Sequence, residues 1–243
     1  MVRLAELRIA TRFRGPPGSG NGGYVAGLLA TFSPFDAPEV RLLRPPPLET
    51  PLEVVAPDDD PAGASLQLRS GDELYATLAP GSIDFAPPPP PTPDEASAGG
   101  ANFAGWQAHM APGCFVCGPE RPAGDGLRIF AGPPDAARPD RVVASWTPEP
   151  ALAGTRGRVR PEFVWAALDC PGYFAVAPAG RRLLLGRLAV RLLAPLDAGR
   201  RCAIVGWRLG GEGRRHLAGT ALYADGECLA FGAATWVEPR ATA

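Results

Sequence analysis

Val40-Arg41-Leu42-Leu43-Arg44-Pro45-Pro46-Pro47-Leu48-Glu49 returns later in the chain as Val190-Arg191-Leu192-Leu193-Ala194-Pro195-Leu196-Asp197, shortened by two prolines. A second pair follows in the same order. Ser65-Leu66-Gln67-Leu68-Arg69-Ser70-Gly71-Asp72-Glu73-Leu74 answers to Thr220-Ala221-Leu222-Tyr223-Ala224-Asp225-Gly226-Glu227-Cys228-Leu229. Self-similarity in matching order marks a duplicated unit of roughly a hundred residues, and each copy is free to lose what the other keeps.

The 243 residues are enough for one large domain or two fused modules, and the repeat favours the modules. A formal net charge of −1 gives no general drive toward nucleic acid or an anionic membrane, so neither partner is expected. All 24 basic residues are arginine, which offers bidentate phosphate contacts wherever an anionic ligand arrives. No run approaches the roughly twenty apolar residues of a membrane span, and Met1–Arg8 lacks a hydrophobic signal core. Five cysteines, an odd number without dense spacing, fit a reducing compartment. The expectation is a soluble, cytoplasmic protein.

Pro87–Pro91 and the following Thr92-Pro93-Asp94-Glu95-Ala96-Ser97-Ala98-Gly99-Gly100 read as a connector without helix or ladder, so the chain divides into 1–86, a linker 87–108, and 109–243. Asp58-Asp59-Asp60-Pro61 reads as a solvated loop. In the first copy the pattern predicts a strand near 4–13, a helix over 22–32, and strands near 39–44, 52–56, 64–69 and 73–79. In the second it predicts strands over 126–130 and 141–146, a helix over 161–175, and strands near 183–193, 202–209, 216–224 and 228–237. Asp225-Gly226 is a hairpin signal between the last two. Each copy is thus α+β, an antiparallel sheet with one nearly all-apolar helix that has to be buried inside the curl of the sheet.

This unit resembles the hotdog fold, and the fused pair resembles the double-hotdog acyl-CoA thioesterases. The likeness rests on Gly20-Asn21-Gly22-Gly23-Tyr24-Val25-Ala26-Gly27-Leu28-Leu29, on Arg160-Pro161-Glu162-Phe163-Val164-Trp165-Ala166-Ala167-Leu168-Asp169, and on Cys114-Phe115-Val116-Cys117-Gly118-Pro119 with Gly126-Leu127. The resemblance implies a turn at the helix start whose N–H polarises a thioester carbonyl, and an acid from the partner unit acting as base or nucleophile. Asn21-Gly22-Gly23 matches that turn in copy one, where the acid position falls on Ala30. In copy two the turn is Arg160-Pro161-Glu162 and the acid position is Asp169. One composite site is therefore expected, with Asp169, Asn21, Gly22 and Gly23 catalytic. The substrate-binding set expected beside it is Tyr24, Trp165, Tyr173, Arg156, Arg158 and Arg160.

Each of these residues also has a plain structural role. Asn21 is a favoured N-cap and the glycines permit a tight turn; free N–H groups at a helix start also suit an oxyanion. Gly18-Ser19-Gly20-Asn21-Gly22-Gly23 satisfies a dinucleotide pattern, which needs a parallel strand–helix–strand unit that the repeat argues against. Asp169 among Trp165, Ala166, Ala167 and Leu168 is either a helix-end acid satisfied by backbone donors or a base with its pKa raised by burial. Arg156, Arg158 and Arg160 either meet carrier phosphates or solvate a loop. Cys114-x-x-Cys117 is half a zinc site with His109 as a lone upstream candidate, so a structural turn and metal independence are expected. His216 has no nucleophile to partner it.

The leading expectation is hydrolysis of an acyl-CoA or related carrier thioester, needing no metal or redox cofactor, by a protein able to assemble with further copies of itself. One alternative is a non-catalytic acyl-CoA or acyl-carrier binding module. The other is an enoyl-CoA hydratase-like enzyme, which the absence of a histidine near Asp169 in sequence disfavours.

Overall fold

In the computed structural model, residues 1–58, 60, 64–135, 137–177 and 182–240 are described. Asp59 and Pro61 of the acidic stretch lie outside them. The elements run β1 (Val2–Arg8), α1 (Gly22–Ala30), β2 (Pro38–Leu42), β3 (Pro51–Ala56), β4 (Leu66–Ser70), β5 (Glu73–Pro80) and α2 (Pro93–Ala101). Then follow β6 (Arg141–Trp146), α3 (Pro161–Ala167), α4 (Cys170–Val176), β7 (Leu184–Leu192), β8 (Cys202–Glu212), β9 (Arg215–Ala224) and β10 (Glu227–Val237).

The ten strands form one antiparallel sheet in the order β1-β3-β4-β5-β2-β7-β10-β9-β8-β6. That order is a palindrome when each strand is replaced by its counterpart in the repeat. The two halves meet at β2 and β7, where Glu39 pairs with Ala189, Val40 with Leu188 and Arg41 with Arg187. Because Val40 corresponds to Val190 in the repeat, Ala189 is the counterpart of Glu39, and the pseudo-twofold axis passes through that pair. Joining the two edges removes from each half the unpaired strand that would otherwise invite aggregation.

One face of the sheet holds α1, α3 and α4. Gly23, Tyr24, Val25, Ala26, Gly27 and Leu29 of α1 are buried, as its apolar composition requires. The helix packs on β2, β5 and β7 and, most extensively, on α3. This contact is backbone-close: a Cβ on Gly27 would lie 2.7 Å from Glu162 Cα and 2.7 Å from Trp165 Cβ. The helix predicted over 161–175 is two helices, because Pro171 can neither donate to the turn before it nor let the chain run straight past. The break falls at Leu168-Asp169 and leaves α4 against β6, β8, β9 and β10.

Three other expectations are corrected. The strand near 4–13 stops at Arg8, after which Thr11–Phe13 form a 3-10 turn. Glu49 fixes that turn by accepting from the Thr11 N–H at 2.6 Å and the Thr11 hydroxyl at 2.9 Å. Residues 126–130 are not a strand, since Arg128 takes φ 54 in their midst. Their N–H groups serve the preceding loop instead, Leu127 to Phe115 O and Ile129 to Val116 O. The connector contains a helix, α2, started by a reciprocal capping box between Thr92 and Glu95 with Pro93 in the first turn. It lies on the outer face of the second half's sheet, where Ala96 packs with Val143, Val205 and Ala221. A Cβ on Gly99 would stand 2.2 Å from Val143 O, so glycine alone lets this helix come so near. The hairpin at Asp225-Gly226 is as predicted, with φ 50 and 83.

Candidate active site

Asp169 and the start of α1 come together from opposite halves of the chain. The Asp169 Oδ2 accepts from the Gly23 N–H at 3.0 Å and from Asn21 Nδ2 at 2.8 Å. Asn21 caps α1 at the same time, its Oδ1 accepting from the Tyr24 N–H at 2.9 Å. Gly23 is required here, because a Cβ would sit 2.5 Å from Asp169 Cβ. Asp169 is 2% exposed, and burial pushes its pKa up to about 7 against the opposing pull of the Gly23 and Asn21 donors.

These groups border a cavity of about 310 Å³. Asn21, Gly22, Asp169 and Tyr173 line it, as do His109, Trp236 and the apolar side chains of Leu42, Leu183 and Leu185. Gly22 is the first helical residue, so its N–H has no intrahelical acceptor. Among the described residues the buried atoms Asp169 Oδ1, His109 Nε2 and Trp236 Nε1 have no hydrogen-bond partner. His109 Nδ1 accepts from the Ala111 N–H at 3.0 Å, which leaves the ring proton on Nε2, and burial lowers the pKa of this imidazole. One acceptor and two donors without protein partners, around a largely apolar cavity, are what a polar ligand centre with an apolar tail would satisfy.

Several expected site residues lie elsewhere. Trp165 is core, 1% exposed and packed under Gly27. Tyr24 belongs to an aromatic cluster, stacked on Phe13 at 4.2 Å and near Phe115 and Phe163. Arg158 pairs with Asp197 at 3.1 Å, and Arg160 pairs with Glu162 at 3.3 Å while lying over the Phe163 ring. Arg156 is exposed in a turn with φ 59. None of these five borders the cavity; the arginines that do are Arg44 and Arg214. His216 is paired with Glu238 at 3.0 Å. The dinucleotide reading of Gly18–Gly23 fails because every strand pairing is antiparallel.

His109, in sequence only a candidate metal ligand, and Trp236, without any signal there, join Asp169 at the cavity border only through the fold. The same holds for Cys170. Its sulfur lies 3.8 Å from that of Cys114, and the three sulfurs of Cys114, Cys117 and Cys170 are all within 4.8 Å of one another. Metal independence is expected because the Cys-x-x-Cys pair lacks two further ligands at workable spacing; the fold brings one further sulfur to it, that of Cys170. Thiol donation from Cys117 and Cys170 holds the Cys114 pKa well below the usual thiol value, while burial pushes Cys117 up.

Two antiparallel helix-on-sheet units fused through one seam, with the helix starts and ends facing across it, define the double-hotdog fold. Among solved structures the chain is similar to the tesB protein of Mycobacterium avium subs paratuberculosis, at 13% identity over 96% of this chain and 92% of that one, with a TM-score of 0.61. A putative thioesterase of Ralstonia eutropha JMP134, a phenylacetic acid degradation-related protein, covers 46% of this chain and 85% of its own at 18% identity, TM-score 0.42. No protein-family model and no curated protein matches the chain. No helix among the described residues is long and apolar enough to cross a membrane.

Proposed function

We propose that this protein hydrolyses an acyl thioester, of CoA or a related carrier, at the single site where Asp169 meets the start of α1. The observation that carries the reading is the Asp169 carboxylate itself. One oxygen is clamped by Gly23 and Asn21 from the other half of the chain, and the other is unpartnered in the wall of an apolar cavity. In this scheme the acyl chain occupies the cavity and Asp169 takes a proton from water as the water oxygen bonds to the thioester carbon. The Gly22 N–H, at the positive end of α1, receives the negative charge that forms on the carbonyl oxygen. The Gly23 N–H expected for that role is engaged with Asp169, so its contribution is to position the base. As the C–S bond breaks, Asp169 returns its proton to the leaving thiolate. Arg44 and Arg214, at the cavity border, are the cations available to a phosphate-bearing carrier.

The test is release of free thiol from a panel of acyl-CoA and acyl-carrier thioesters, with wild type and Asp169→Asn in parallel. Turnover by wild type that Asp169→Asn abolishes supports hydrolysis. Saturable binding of the thioesters without turnover overturns it in favour of a binding module. Water addition to an enoyl thioester, with the thioester left intact, overturns it in favour of a hydratase.

A further inference from the structure

Cys114, Cys117 and Cys170 are fully or nearly buried, free of disulfides and brought together from two separate segments. Cys114 and Cys117 lie on the loop that precedes residues 126–130, and Cys170 opens α4 beside Asp169. The proton demand of three adjacent thiols in an apolar wall is poorly met by one another, because S–H is a weak donor and sulfur a weak acceptor. A cation bound to thiolates meets it outright.

Geometry narrows the cation. In a tetrahedral zinc–thiolate site with Zn–S near 2.3 Å, neighbouring sulfurs stand about 3.8 Å apart. Cys114 and Cys170 stand 3.8 Å apart, and the third sulfur is within 4.8 Å of both. The loop is shaped to hold a thiolate. Asn21 Nδ2 donates to the Cys114 sulfur at 3.9 Å. The loop closes through the Gly118 N–H to Cys114 O at 2.9 Å. Gly118 has no room for a side chain, since its Cβ would lie 2.5 Å from Cys114 O and 2.5 Å from Pro112 O. Arg14 and Arg121 grip the same loop through Gly113 O at 3.0 and 2.9 Å, so two guanidinium groups stand near the negative charge that three thiolates leave over after binding a divalent ion. These outer contacts are the kind that orient metal ligands.

We propose that Cys114, Cys117 and Cys170 bind a zinc ion through their three sulfurs, with the fourth tetrahedral position open to the cavity these residues line. Binding displaces the thiol protons to solvent and joins the interior loop to the first residue of α4. Because Cys170 follows Asp169 directly, the ion also fixes the carboxylate against Gly23 and Asn21. The site is independent of the hydrolytic reading, since it needs only the sulfurs.

The test is metal analysis of the full chain purified under reducing conditions, then replacement of the metal by Co(II). The expected result is equimolar zinc, and a cobalt form with intense near-ultraviolet sulfur-to-metal absorption. Cys170→Ser is expected to lose both, because losing a ligand weakens binding by more than the roughly 10–100-fold that loss of an outer contact costs. Cys202→Ser and Cys228→Ser, outside the cluster, retain both. Should Cys170→Ser misfold, chelator-treated wild type provides the second measurement: its melting temperature rises when zinc is returned. Asp169→Asn retains zinc whether or not it retains turnover. Protein that neither carries zinc nor takes up zinc or cobalt overturns the proposal. So does iron in place of zinc, or a Cys114–Cys117 disulfide in the freshly reduced and purified chain.

Discussion

Burying Asp169 costs free energy that only well-placed donors offset, and both donors come from the other copy of the repeat. Asp169→Asn keeps the shape, and its amide oxygen can still accept from Gly23 and Asn21, so the fold survives while the proposed base is gone. Turnover is expected to fall roughly 10²–10⁴-fold with an unchanged near-ultraviolet circular dichroism spectrum. Gly23→Ala tests the clamp rather than the base. Its Cβ would meet Asp169 Cβ at 2.5 Å, with Trp165 O at 3.0 Å behind it, so α1 and α3 are driven apart. The expected loss is about 1–3 kcal/mol in urea unfolding together with most of the turnover. That Asp169, Asn21 and Gly23 belong together is what the family resemblance implies, since one copy retains its acid position and the other its turn. The engagement of the Gly23 N–H by the acid itself was not, since a motif gives residue types and leaves open which donor meets which acceptor. Trp236 carries no local signal and His109 signals only a candidate metal ligand; the return of β10 and of the interior loop brings both to the cavity border.

Strands announce themselves by alternation and turn residues, and the helix of each copy by its apolar run. Where an element departs from its composition, short-range chemistry overrides it. Proline and glycine between Pro87 and Gly100 argue against a helix, yet Thr92, Pro93 and Glu95 occupy the N-cap, first-turn and capping-box positions that start one. The outer face of the second half's sheet then supplies the burial that nine residues cannot supply alone. Arg128 with φ 54 breaks an otherwise strand-like run, and nothing in Gly126–Phe130 announces it. Thr92→Ala removes the side chain that accepts from the Glu95 N–H, and is expected to cost about 1 kcal/mol. Because no residue of α2 borders the cavity, turnover should stay at the wild-type value. Amide exchange over 93–101 should quicken; unchanged exchange there would show that packing on β6 alone holds the helix.

Over the whole molecule the duplication yields a symmetric sheet and an asymmetric interior. The axis through Glu39 and Ala189 relates Gly23 and Asp169 to Glu162 and Ala30, so a second site is present in outline. It differs from the first in more than its missing acid. Pro161 has no N–H to offer at the first helical position, where Gly22 has one. Glu162 carries a Cβ where Gly23 has none, and the residue is 6% exposed and its carboxylate paired with Arg160 at 3.3 Å. Restoring the acid alone therefore cannot restore a site. Ala30→Asp on the Asp169→Asn background is expected to leave thioester turnover at the level of the single variant. It should also destabilise the protein, because the new carboxylate enters space beside Glu162 without the two donors that Asp169 enjoys. Glu162→Gln, which keeps the volume and removes only the charge, should leave turnover at the wild-type level, because Glu162 does not border the cavity. Steady-state kinetics and urea unfolding of these variants check both statements. Recovery of turnover by Ala30→Asp would mean that the two half-sites are equivalent, and that the composite assignment to Asp169 and the start of α1 is wrong.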